Sequence, residues 1–479
     1  MFKKKSGVEH KMFRFFSAAG IFSFIMCVLM SFSCAGASEK GPLFIQVHFT
    51  SPLVNITPGQ ARAILCGRVS NFRDIGGRQG PVHLYVDRGA AGQVRAACPH
   101  LEFSTASFSE QSGLAHDPFF MGISDVSGLR PCFRILYIDG NLPWGRAGKD
   151  YTLDPGAGCY ALMFPGVRPF RRDCAVTVVQ TGVTAMTRAF IAAVDRAGDT
   201  GYPVRHTRAI TARADIAVTS NEVSFLDPCT YPLRDNLTFC SPLRYFSILT
   251  GSGFDVIELT GNHNNDYGKK YNLATMDMIE KAGMIYFGGG RNRRDAARVK
   301  YMKVRGMVFA FVGFNELGPP DAWAGEKTPG ALRFRRELFD RLVKEAVKNA
   351  DIVFVSVQWG NENSPRPWPK QVEYFHRAAD LGAAIMVSSS AHRAMGLEFY
   401  RGRFISYGLG NFLFDQMQSI NHRRGIMARH IFYRGRHIST ELIPYLMHGY
   451  CSPVPVHGAE ARGIFNYIFR YSRGPVFGK

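Results

Sequence analysis

The stretch Thr260-Gly261-Asn262-His263-Asn264-Asn265-Asp266-Tyr267-Gly268 follows an apolar run, 256–259, that reads as a buried strand. An Asn-His pair there puts a carbonyl oxygen and an imidazole at a sheet edge, where α/β domains gather their ligand sites. In two-metal phosphoesterases such a pair serves the metal through Asn and the reacting oxygen through His. The same residues also suit a polar loop held by Asn and Asp side chains and closed at Gly268. Other strand ends carry polar residues too: Ser220-Asn221-Glu222, Gln358-Trp359-Gly360-Asn361-Glu362, Ser388-Ser389-Ser390-Ala391-His392 and Tyr407-Gly408-Leu409-Gly410-Asn411. A lone buried histidine is usually a satisfied core residue. Polar groups repeated across several strand ends favour a shared site.

The elements that would hold these residues alternate. Strand-like runs at 175–180, 216–219, 256–259, 284–287, 308–312, 352–357 and 384–387 are separated by helical patterns at 185–197, 271–282, 336–348 and 369–381. The last of these opens on Pro369, suited to a first helical turn. Strands at 397–400, 403–407, 425–433 and 437–443 follow. Buried strands alternating with helices argue an α/β domain over 173–448. Before it, 41–172 is rich in Gly, Pro and short apolar runs. Strands at 43–49, 82–86, 135–138 and 159–164 and a helix at 57–65 make it a small α+β domain. A basic, aromatic tail at 449–479 is expected to pack against the body.

At 479 residues the chain has room for two or three domains. Its 46% hydrophobic and 20% charged residues exclude wholesale disorder. The net charge is +20. Residues 1–37 carry Lys3, Lys4, Lys5, Lys11 and Arg14 against Glu9, a net +4, leaving +16 for the rest. Such a surface attracts polyanions. The basic residues are scattered and no recognition-helix or RNA-binding signature is present, so no nucleic-acid partner is expected. The basic start, the apolar run 15–32 and Ala35-Gly36-Ala37 read as a secretory signal peptide cleaved after Ala37. The chain is then exported to the periplasm, the cell envelope or the medium. It meets a membrane only if the signal stays in place or Cys34 is lipidated. Eight cysteines remain, an even number that suits an oxidising compartment, with Cys229–Cys240 the expected local disulfide.

The segments around Glu222, Asp255 to Gly268, Gly288-Gly289-Gly290-Arg291-Asn292, Gln358 to Glu362, Gly382 to His392 and Tyr407 to Asp415 keep an order and spacing that resembles the CapA family of poly-γ-glutamate capsule synthesis. The resemblance implies a metallophosphatase-like fold, a four-layer αββα sandwich of two mixed sheets flanked by helices. It also implies site residues, position by position. Asn262 and His263 match. Glu222 matches within a changed neighbourhood. Val183 stands where the family has a metal-binding Asp after Gly182, Gln358 where it has His, and only His392 survives of its Gly-x-His-Pro-His. In the first region, Ile56 to Phe72 with Ile75-Gly76-Gly77, and Tyr137-Ile138-Asp139-Gly140, resemble part of a periplasmic phosphate-binding protein. The Ser-Gly-Thr phosphate loop is absent, and an unrelated small α+β domain remains the alternative.

Three readings follow. The first is an exported protein that assembles, handles or anchors an anionic polymer of poly-γ-glutamate type, with polymer or envelope components as partners. The second is a metal-dependent hydrolase or transferase acting on a phosphoester or amide. His263 is then general acid, Glu362 base, and Glu222, Asn262 and His392 hold a divalent Mn, Fe or Zn, with Asp266, Gln358 and Asn411 as binding residues. The third is a non-catalytic envelope module with a degraded metal site. A single carboxylate in the ligand set is few for a two-metal centre, which needs anionic ligands to offset desolvation of the ions.

Overall fold

A computed structural model describes residues 43–108, 113–140, 171–229, 237–359 and 364–479. The signal region, the strand expected at 159–164 and Glu362 lie outside them. Strands Ala175–Gln180, Ile216–Ser220, Val256–Glu258 and Ile285–Phe287 run parallel and side by side in chain order. Beyond Ala175–Gln180 the sheet continues with antiparallel Arg424–Tyr433, Arg436–His448 and Ser452–Pro455, seven strands in all. A second sheet of six has parallel Met307–Asn315, Ile352–Gln358, Ile385–Ser389 and Arg403–Ser406 at its centre. Antiparallel Lys300–Val304 and Leu397–Tyr400 form its edges.

The two-residue period of the strands sorts their side chains into layers. Val176, Val178, Val218 and Val256 of the first sheet share one core with Phe309, Phe311, Phe354 and Val387 of the second, so the sheets pack face to face. The alternate residues Val179, Ala217 and Ile257 pack under helices Ala189–Ala197 and Lys269–Lys281. Ala310, Val312, Val353 and Val355 pack under Arg336–Asn349 and Pro369–Leu381. The result is helix, sheet, sheet, helix: the four-layer αββα sandwich.

Local sequence explains most of the helices. In Arg336–Asn349 the buried residues Phe339, Leu342, Val343 and Ala346 recur at helical spacing and form one stripe. Pro369 opens the next helix, where the Trp368 N–H donates to Gln371 Oε1 at 2.7 Å. Gly382, at φ 112°, ends it in a conformation that a side chain would strain. The helix expected from 185 begins only at Ala189. Val183–Thr184 instead form a short strand beside Asn411–Leu413. The first helical N–H, of Ala189, is capped by Asp415 Oδ2 at 2.8 Å.

Ahead of the sandwich, Phe44–His48, His83–Asp87, Ser104–Ala106, Phe120–Ser124 and Phe133–Ile135 make a five-stranded sheet. Helix Pro58–Leu65 packs on it, with Thr57 and Gln60 capping each other's backbone N–H groups. This sheet joins the body through Phe49, whose ring lies 4.8 Å from that of Phe399. After 449 the chain adds the edge strand Ser452–Pro455 and a helix, Gly458–Tyr471, whose Ile464 and Ile468 enter the inter-sheet core. Cys229 and Cys240 are disulfide-bonded.

Candidate functional site

The carboxyl ends of the parallel strands bring together three of the segments singled out in the sequence. The Glu222 segment and the Asn262-His263 loop meet through a bridge between Val223 and His263. Gly261 permits this approach: a Cβ there would lie 2.6 Å from the Glu222 Cα. A Cβ on Gly182 would lie 1.9 Å from the Gly410 carbonyl oxygen, so the strand of Val183 can pair with that of Asn411 only with glycine at 182.

Gln358 sits at the centre. Its Nε2 donates to Glu222 Oε1 at 2.9 Å and to Asn262 Oδ1 at 3.0 Å. Asn315 Nδ2 donates to Gln358 Oε1 at 2.5 Å and to the Thr260 carbonyl at 2.7 Å. Asn262 Nδ2 lies 3.3 Å from His263 Nε2, and His263 Nδ1 lies 2.8 Å from Asp266 Oδ2. Asp266 Oδ2 also accepts the Phe239 N–H at 2.8 Å. Beneath this layer Glu258, in the strand itself, accepts from Thr260 and from Ser389 Oγ at 3.0 Å.

His392 and Asn411 form a second pair, Nδ1 to Oδ1 at 2.8 Å, and Asn411 Nδ2 donates to the His392 carbonyl at 3.0 Å. His392 is held at φ 51° and Ser390 at φ 81°, both sterically costly for residues with a side chain. Between the two histidines lies an apolar cluster of Val183, Ala185, Val223, Phe239 and Phe414. The Phe239 ring is 4.5 Å from that of His263, and the Phe414 ring 5.0 Å from that of His392. The space lined by Gly182, Glu258, His392 and Gly410 is about 10 Å³, room for one water at most.

The charges follow from these contacts. Burial works against a charged His263, but the hydrogen bond and charge of Asp266 outweigh it and raise the imidazole above its ordinary value. Burial pushes the Glu258 carboxyl up, and the nearby Glu222 charge adds to the rise. Both shifts favour the protonated form relative to the same group in water.

These residues do not fit a two-metal centre. Among the described residues no group of three or more His, Cys, Asp or Glu gathers as metal ligands do. Two of the expected ligand oxygens, Glu222 Oε1 and Asn262 Oδ1, both accept from one Gln358 amide, so a hydrogen-bond donor already occupies them. Val183, in place of the expected carboxylate, is buried among apolar side chains. Two buried oxygens nearby, Asn221 Oδ1 and Asn264 Oδ1, accept no hydrogen bond among the described residues. Asn315 and Glu258 went unremarked in the sequence. Reading the strand 308–312 to its true end at Asn315 would have exposed the first, and a carboxylate inside an apolar strand is itself the signal for the second.

Comparison with known proteins places this geometry. The chain is 28% identical over 321 residues to "Capsule biosynthesis protein CapA" of Bacillus anthracis, covering 64% of this chain and 77% of that protein. It is 32% identical over 210 residues to "PGA biosynthesis protein CapA" of Bacillus subtilis (strain 168), covering 44% of this chain and 55% of that one. The 5'-nucleotidase precursor from Thermus thermophilus aligns over 58% of this chain and 56% of its own, with a TM-score of 0.36 and 14% identity. A family model described as "Bacterial capsule synthesis protein PGA_cap" matches residues 177–416, half of the chain and nearly all of the parallel-strand core. The chain belongs to this bacterial capsule synthesis family.

Proposed function

We propose that the protein acts in making or handling an anionic capsule polymer of poly-γ-glutamate type, and that it does so by binding rather than by two-metal hydrolysis. Family membership supports the capsule part of this reading. The observation that carries the binding part is the Gln358 amide, which closes Glu222 and Asn262 onto each other at the strand ends. The +16 charge outside residues 1–37 supplies long-range attraction for a polycarboxylate. On this reading His263, Asp266, His392 and Asn411 shape the face against which the polymer rests. The protein works at the cell envelope, after export, with the polymer or other envelope components as partners. Fluorescence anisotropy with labelled poly-γ-glutamate tests it. The expected result is saturable binding that weakens steeply between low and moderate salt. Binding that is absent at low salt contradicts it.

A second reading is favoured by the unfilled oxygens Asn221 Oδ1 and Asn264 Oδ1, which suit a water or one hard cation. Glu222, Asn262 and His392 are then the candidate holders of a single divalent ion, with His263 and Glu362 as the acid and base of a hydrolase or transferase. Elemental analysis of the protein, beside a His263→Ala/His392→Ala variant, separates the two. One equivalent of Mn, Fe or Zn that the variant loses supports the second reading. No metal in either, after dialysis against Mn²⁺ and Zn²⁺, removes it.

A further inference from the structure

A cavity of about 530 Å³ lies away from the strand-end site, where the five-stranded sheet meets the last strands and the helix Gly458–Tyr471. This is the size of small-molecule pockets, several hundred Å³. Its walls include Ile135, Leu442, Val456, Phe465 and Phe469, the last two rings stacked 5.6 Å apart. Three arginines line it: Arg78, Arg134 and Arg462.

Arg134 carries the argument. It is buried, 8% exposed, and among the described residues donates one hydrogen bond, from Nη1 to the Ser51 carbonyl at 2.9 Å. Its guanidinium otherwise faces aromatic rings, 6.0 Å from Phe49 and from Phe465. The nearby carboxylate, Glu441, is already committed: Oε2 accepts Arg429 Nη1 at 2.6 Å and Oε1 accepts the Tyr137 hydroxyl. Two guanidiniums therefore share one carboxylate. Taking a guanidinium out of water is costly by several kcal/mol, and half a share in Glu441 offsets that cost only in part. Burial accordingly lowers the Arg134 pKa. Arg462, exposed on the last helix, and Arg78, at 4.8 Å over the Phe119 ring, add positive charge to the same cavity.

We propose that this cavity binds a small anionic amphiphile, a carboxylate or phosphate monoester on an apolar body, with the anionic head on Arg134 and the body against Leu442, Phe465 and Phe469. The site is independent of the polymer reading, since it shares no residue with the strand-end network. Arg134 fixes the head by a charge-assisted hydrogen bond, and the apolar walls account for the rest of the affinity.

Isothermal titration of the full-length protein with decanoate and decyl phosphate, below their micellar concentrations, tests this. Acetate, inorganic phosphate and decanol serve as head-only and tail-only probes. The expected result is one saturable site for at least one amphiphile, the preferred one identifying the head as carboxylate or phosphate. Each partial probe binds at least tenfold more weakly. Arg134→Met weakens binding tenfold or more and Arg134→Lys restores part of it. Should Arg134→Met fail to fold, Ala461→Phe, which fills the cavity from the helix side, abolishes binding with Arg134 intact. The proposal is overturned if neither amphiphile binds, if decanol binds as tightly as both, or if a folded Arg134→Met or Ala461→Phe protein binds as the parent does.

Discussion

Gln358 and His263 differ in the site: the first bonds Glu222 and Asn262 together, and the second pairs with Asp266 at its edge. Replacing Gln358 with Leu leaves the buried Glu222 and the half-buried Asn262 without their shared donor. The expected cost is about 1–3 kcal/mol, read as a lower urea midpoint at unchanged slope. For His263, Asp266 is the group that raises the pKa. An NMR titration of the imidazole should show a midpoint above about 6.5 in the parent and a clear fall in Asp266→Asn. A midpoint unmoved by that change contradicts the pairing. The sequence made Asn262, His263 and the substitutions at Val183 and Gln358 visible, because each sits at a strand end or a motif position. It could not reveal that Gln358 would turn inward and bond two of the supposed ligands. That depends on strands 43 to 136 residues apart in the chain, through Asn315, Asn262 and Glu222.

The parallel strands and the long helices were legible because burial imposes its own period on them. The stripe Phe339, Leu342, Val343, Ala346 is such a case. The start of the helix Ala189–Ala197 was not, because Val183–Thr184 pair with a distant strand, Asn411–Leu413, and the Ala185 N–H still donates to the Leu413 carbonyl, so the chain enters the helix late. Asp415 then fixes the start, capping Ala189 and pairing with Arg188 through Arg188 Nε at 3.1 Å. Asp415→Ala should destabilise the fold by about 0.5–2 kcal/mol, the usual range for a lost N-cap. Urea denaturation measures it, and a change near zero means the helix is held by its apolar face alone. The last helix was also missed as an element. Its aromatic and basic residues obscured the stripe of Ala461, Ile464 and Ile468.

Across the whole molecule, two buried histidines, His48 and His430, and the half-buried His437 shape the response to acid. Burial lowers His48 to about 4 and His437 to about 3, and takes His430 well below its ordinary value. A histidine whose folded pKa is depressed contributes stability that is present above its unfolded value, near 6.5, and lost as pH falls. His263, with a raised pKa, acts the other way: its contribution is present below about 6.5 and lost as pH rises through the folded value. Glu258, pushed up by burial, acts in the same sense as His263; the three histidines outnumber these two groups, so the urea midpoint should fall from pH 7 to pH 5. A midpoint that rises on acidification contradicts the neutral state of these histidines.

At the same scale, the net positive charge and the closed strand-end site are joined in the proposed function, a protein that would hold a polyanion without cutting it. Light scattering on a size-exclusion column, after incubation with poly-γ-glutamate and Mn²⁺ at low salt, reads both properties at once. The account predicts a protein–polymer complex that dissociates as salt is raised. It also predicts that the recovered polymer keeps its length. Shortened polymer, with the shortening lost in His263→Ala, would contradict it.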